Sequence, residues 1–207
     1  MGARVVTERL VIKIGGATLF QPNGFETELR KLLSENQNAQ VWLLAGGGDL
    51  VEGMRNAHQI YPKLDDEEMH WRCVELLDHT WSIAKEVFQT DYAVANREDL
   101  ERLSKLGRVP GTCWVRVQSF YSRDNCGLIP ELWLPRSDWS TTSDALAWLL
   151  GMMIDADRVI LMKQCECDPA WTIAEAAQRG VIDAELARLV DANPGARPII
   201  ELARLAS

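Results

Sequence analysis

Lys13 stands inside the apolar run Arg9 to Ile14 (RLVIKI), and Gly15 and Gly16 follow that run directly. An ammonium in an otherwise apolar strand carries a desolvation cost unless it faces a cavity or an anion. An edge lysine that snorkels to water gives the same pattern, but here the two glycines open space for a ligand beside the cation. The stretch Val41 to Arg55 (VWLLAGGGDLVEGMR) repeats the theme as an apolar run, three glycines and a segment with helical spacing. Gly46, Gly47 and Gly48 let the backbone approach a bound group closely. The helix start after them offers unpaired N–H groups and a partial positive charge. A phosphate is the natural guest of both stretches, and a tight βα turn is the plainer reading of the second.

Thr141, Thr142, Ser143 and Asp144 precede the apolar run Ala145 to Ile154 (ALAWLLGMMI). One of them would serve as the N-cap of a helix. Four in succession suggest more, with Thr142 or Ser143 hydrogen-bonding a phosphate and Asp144 orienting lysines or a metal near a triphosphate. Lys163 ends the run VILMK and would share a sheet end with Lys13 if the two strands are parallel; otherwise it is a solvated strand end. His58, His70 and His79 lack metal-ligand spacing, and His70 beside Trp71 reads as helix packing. The five cysteines include no CxxC pair and read as reduced thiols. Neither GxxxxGK[ST] nor GxGxxG is present, so the glycines are not a Walker A loop or a dinucleotide fingerprint.

The elements that would position these groups alternate. Strands are expected at Arg9 to Ile14, Val41 to Ala45, Tyr92 to Ala95, Thr112 to Phe120 and Arg158 to Met162. Helices are expected at Phe25 to Leu33, Asp49 to Ile60, Asp65 to Phe88, Glu98 to Leu106 and Asp144 to Ile154, with two more near Thr172 to Arg179 and Asp183 to Ala192. Such alternation implies an α/β fold with a mostly parallel central sheet and helices on both faces. Ligands in such folds sit beyond the carboxyl ends of the strands. The 207 residues, 47% of them apolar, fit one domain. A net charge of -8 disfavours nucleic acid and acidic membranes as partners and favours small molecules. No apolar run approaches the roughly 20 residues of a membrane span, and with no signal-peptide pattern the expected location is cytoplasmic.

The motifs VIKIGG (11–16), LLAGGG (43–48) and TTSDALAWLL (141–150), in that order, resemble those of the amino acid kinase superfamily. The resemblance covers roughly Arg9 to Met162. It implies a three-layer αβα sandwich and transfer of the γ-phosphoryl of ATP, with Mg²⁺, to a small-molecule carboxylate, carbamate or phosphate. On this resemblance Lys13 neutralises the transferring phosphoryl, the glycines at 46 to 48 bind it, and Asp144 positions the lysines. The acceptor-binding part spans about 1–130 and the nucleotide side about 131–207. Where many members carry Leu-Thr-Asp this chain has Met162, Lys163 and Gln164, and a late Gly-Met-x-x-Lys segment is missing, so Lys163 stands in as the second catalytic lysine. The runs HWRCVELLDH (70–79), WSTTSD (139–144) and RGVID (179–183) look most like the aminomethylfuran phosphate kinases of methanofuran biosynthesis, with Arg55 as a candidate for the acceptor phosphate. The superfamily also implies homo-oligomers. The rival expectation is a non-catalytic anion or nucleotide sensor or store on the same fold.

Overall fold

The strand β1 (Arg9–Ile14) is buried over its full length, as expected of an apolar run with neighbours on both flanks and helices on both faces. In the computed structural model, which describes residues 8–20, 25–168 and 170–204, a one-turn helix α1 (Gly16–Leu19) follows it. Then come α2 (Glu26–Glu35), β2 (Gln40–Ala45), α3 (Gly48–Ile60) and the long α4 (Asp66–Val87). The Asp65 carboxylate caps α4 by accepting from the Glu68 N–H at 2.9 Å, and three acidic residues fill its first turn, where the helix dipole favours them. The chain continues through β3 (Tyr92–Val94), α5 (Arg97–Lys105) and β4 (Gly111–Val115). It ends with α6 (Ser143–Met153), β5 (Arg158–Lys163), α7 (Ile173–Gln178), α8 (Ala184–Ala192) and β6 (Ile199–Arg204).

Six strands form one sheet in the order β3-β4-β2-β1-β5-β6, every neighbouring pair parallel. From β1 the chain moves outward on one flank through β2, and later returns to the opposite flank as β5. Between β1 and β5 lies the switch point where open α/β sheets leave a crevice at their carboxyl ends. Side chains alternate across the sheet. Leu10, Ile12 and Ile14 meet Phe25 and Leu29 on one face, while Val11 packs with Trp42, Leu44 and the apolar face of α6 on the other. The two-residue period puts Lys13 on the α6 face, and it does the same for Lys163 beyond Val159 and Leu161.

The expectation of a strand from Thr112 to Phe120 is corrected. β4 stops at Val115, because the next carbonyls turn to local donors, Arg116 accepting from the Ser119 N–H and Val117 from the Tyr121 N–H, and the chain makes a 3₁₀ turn at Val117–Ser119 with Val117 in the core. β6 was not expected at all. It is an edge strand, half-exposed along most of its length, so its sequence lacks the apolar alternation that betrays a buried strand.

The two glycine turns touch each other. Gly48 opens α3 at φ +53°, and a Cβ on Gly16 would lie 1.8 Å from the Gly48 nitrogen. No side chain fits at that contact, so both turns are held backbone against backbone. Gly16→Ala is therefore expected to force the turns apart and to lower the midpoint of thermal unfolding. Gly53→Ala, in the middle of α3 with nothing within 4 Å of its would-be Cβ, should raise stability by about 0.5–1 kcal/mol. Melting curves of both variants check this contrast.

Candidate active site at the carboxyl ends of β1 and β5

Parallel pairing sets Lys13 opposite Leu161, so Lys163 lies one two-residue step further along the same face of the neighbouring strand. α6 crosses this face, and its first turn places Asp144 between the two ammonium groups. Lys13 Nζ is 2.9 Å from Asp144 Oδ1, and Lys163 Nζ donates to Oδ2 at 2.5 Å. Asp144 is 2% exposed and Lys13 6%. Burial by itself would raise the Asp144 pKa, but the two lysine charges and their hydrogen bonds outweigh it and hold the carboxyl below its ordinary range. For Lys163 burial dominates and lowers the pKa, opposed by Asp144 and reinforced by the positive charge of Lys13. Both oxygens of the carboxylate are thereby committed to cations, while each ammonium keeps donors to spare.

The triad borders a cavity of about 350 Å³. Gly16, Gly47 and Gly48 form one side, Thr142 and Ser143 another, and Arg55 a third. Gly15 and Gly46, expected to bind phosphate, do not line it. The Gly46 N–H continues the strand ladder by donating to the Ile14 carbonyl at 2.9 Å, so it is not available to a ligand. Its missing side chain serves packing instead: a Cβ there would sit 2.8 Å from Ser143 Oγ and 2.9 Å from the Gly16 nitrogen. α3, by contrast, starts at the cavity with no side chain capping its first N–H groups. Unlike the starts of α6 and α8, which side chains cap, it is open to an anion.

The start of α6 is closed. Thr142 caps it, its Oγ1 accepting from the Asp144 N–H at 3.3 Å. Asp183, the N-cap of α8, accepts at Oδ2 from the Thr142 N–H (3.0 Å), the Thr142 hydroxyl (2.6 Å) and the Ala145 N–H (3.2 Å), and at Oδ1 from the Leu186 N–H. One carboxylate thus ties two helix starts together. Burial, then the nearby Asp144 charge, push its pKa up to about 6, against the hydrogen bonds it accepts.

Arg55 lies on the outer wall, 3.7 Å from Glu52, with its guanidinium carbon 5.5 Å from the centre of the Trp139 ring. Trp139 donates its indole N–H to His58 Nδ1 at 2.6 Å and stacks on that ring. His70 meets Trp71 edge-on, as the packing reading expects, and it also lines the cavity, with Nε2 2.9 Å from the Tyr121 hydroxyl. Burial lowers its pKa. Asp183 and Trp139 were not among the residues singled out for the site. An Asp before a helical period signals a cap, but nothing in the sequence tells that its second oxygen reaches another helix.

No protein-family model matches the chain, and no curated protein does either. Among solved structures it is similar to the uridylate kinase from Archaeoglobus fulgidus, with a TM-score of 0.57 and 18% identity over 95% of this chain and 91% of that one. It is also similar to the UMP kinase from Bacillus anthracis, with a TM-score of 0.55 and 11% identity over 94% and 87% of the two chains. This is the amino acid kinase fold. In that fold the present chain carries an all-parallel six-stranded sheet with helices on both faces. No helix among the described residues is long and apolar enough to cross a membrane.

Removing the shared carboxylate leaves two buried cations without a counter-ion. Asp144→Ala is expected to destabilise the chain by about 3–5 kcal/mol at neutral pH, measured by urea unfolding. Because the folded-state pKa of Asp144 is depressed, its contribution is present above its unfolded value, roughly 4, and is lost as pH falls through the lower folded value. The difference between native chain and variant should shrink over that acid window.

Proposed function

We propose that the chain is an ATP-dependent phosphotransferase acting on a small phosphate monoester or carboxylate. The observation that carries this reading is the Lys13–Asp144–Lys163 triad facing, across one cavity, the uncapped start of α3 and the glycine turns. Phosphoryl transfer asks little covalent chemistry of a protein and much positioning and charge neutralisation. Lys13 and Lys163 would neutralise the transferring group, and the N–H groups at Gly47 and Gly48 would hold its oxygens. Asp144 would keep the two lysines apart and aimed. An acceptor that is already anionic needs no general base.

The cationic and backbone donors fit the phosphates of ATP. Among the described residues no group of three or more His, Cys, Asp or Glu side chains converges as a cation cage, so a Mg²⁺ ion would be carried mainly by the nucleotide's own phosphates and water. Bound there, it would supply further charge neutralisation. The nucleotide would lie on the side built by residues 131–207 and the acceptor on the side built by 1–130.

As acceptor we favour aminomethylfuran phosphate, the substrate of the group that runs 70–79, 139–144 and 179–183 resemble. All three runs contribute walls to the cavity, through His70 and Val74, Trp139 and Thr142, and Val181 and Asp183 respectively. Arg55, paired only loosely with Glu52 and backed by Trp139, would take the acceptor phosphate. Since the solved structures it resembles are named as uridylate and UMP kinases, nucleoside monophosphates belong in the same test.

The test is ADP release from ATP and Mg²⁺ across aminomethylfuran phosphate, nucleoside monophosphates, carbamate and amino acids. Turnover with one acceptor, abolished by Lys13→Ala, is the expected result. Arg55→Ala should raise the KM for that acceptor by about tenfold or more, as loss of a charge-assisted contact does, with a smaller change in kcat. ATP binding without turnover on any acceptor would make the chain a nucleotide-binding protein instead.

A further inference from the structure

The charges around the cavity do not suit an anion as they stand. Among the described residues lining it are three cations, Lys13, Arg55 and Lys163, and four carboxylates, Glu52, Asp138, Asp144 and Asp183. Glu52 and Arg55 face each other, and Asp144 is spent on the lysines. Asp138 accepts from the Ser140 N–H and hydroxyl. Among the described residues no cationic side chain hydrogen-bonds or ion-pairs with Asp183, and Lys163 acts on it only through space. Its neighbours on α6 are Thr142, Asp144 and Ala145, and the lysines of β1 and β5 stand beyond Asp144. On its own helix Glu185 is engaged by Arg188 and the Arg136 N–H. His70 of α4, on the same cavity, is bonded to Tyr121. Asp183 is therefore the largely buried carboxylate of the cavity that makes no ion pair: Lys163 attracts it only through space, and Asp144 repels it.

Its hydrogen bonds allow that charge to be given up. Three of its four donors are backbone N–H groups, which cannot accept in return. The fourth, the Thr142 hydroxyl at 2.6 Å, can. A hydroxyl has one hydrogen and two lone pairs. With Asp183 ionised, the Thr142 hydrogen points to Asp183 and one lone pair takes the Asp144 N–H. With a proton on Asp183 Oδ2, that proton donates to the second lone pair, and the Thr142 hydrogen is released toward the cavity that Thr142 lines.

We propose that the cavity binds its anion together with one proton from solvent, which settles on Asp183 Oδ2 and turns the Thr142 hydroxyl from Asp183 to the anion. The exchange balances: one O–H bond forms at Asp183, one hydrogen bond reverses, and the anion gains a neutral donor while the site loses a negative charge. The upward pKa of Asp183, about 6 without ligand, puts the event within reach of neutral pH. The proposal rests on the reading of this cavity as a phosphoryl site.

Sulfate is the probe, a tetrahedral dianion that does not itself titrate near neutrality. Calorimetric titration of the full chain with sulfate, in two buffers of different ionisation enthalpy, counts the protons taken up. The expected result is uptake of up to about half a proton per sulfate near pH 6, rising toward one near pH 7, with Kd rising by up to about tenfold per pH unit over that range. Asp183→Asn should abolish the uptake and flatten the pH dependence of Kd. Asp183→Ser, which keeps a capping oxygen but no titrating group, should do the same if the Asn variant does not fold. Sulfate binding by the native chain without proton uptake overturns the proposal alone, as does undiminished uptake in a folded Asp183 variant. Absence of sulfate binding at every pH overturns the phosphoryl-site reading with it.

Discussion

A carboxylate held between two ammonium groups, with Asp144 and Lys13 buried and Lys163 largely so, constrains the rest of this structure. None of the three charges is tolerable there alone. To bring them together, β1 and β5 must be parallel neighbours in a register that ends both lysines on one face, and a helix must begin over that face with Asp144 in its first turn. With β5 on one flank of β1, the strands β2, β4 and β3 occupy the other, and the crevice opens at the point where the two flanks part.

Around the triad the backbone does two opposite things with helix starts. At α3 it leaves them bare, because Gly16 and Gly48 pack too closely for any side chain to reach in and cap. At α6 it closes them, with Thr142 and Asp183 taking up the first N–H groups. The cavity therefore has one wall whose backbone N–H groups are open and another whose first N–H groups are already taken. A bound anion is directed toward α3 and the lysines.

Much of this was legible in the sequence. Lys13 betrayed itself as a charge in an apolar run, Lys163 as the end of another, and the alternation of strands and helices fixed which end of the sheet both would occupy. The hydroxyls before Asp144 marked a helix start, as Thr142 proves to be. What escaped was long-range and geometric. Gly46 reads like its two successors, yet its N–H belongs to the ladder and its bareness to Ser143. β6 lies at an edge where burial no longer writes a pattern. Asp183 announces one cap and performs two, because the second depends on α8 ending its approach against α6. Local chemistry is written in neighbouring residues, whereas these features depend on which distant segments meet.

The position of β1 in the sheet bears on how the molecule comes into being. The first described strand is also a central one, and its β5 flank stays open until residues 158–163 have been made. Until that late strand arrives, Lys13 has no partner lysine beside it, an apolar edge stands uncovered, and a long loop remains to be closed. During synthesis the N-terminal half is therefore a waiting scaffold without a finished crevice. β5 brings the second lysine beside Lys13, and the crevice is closed only afterwards, when residues 180–183 reach its wall.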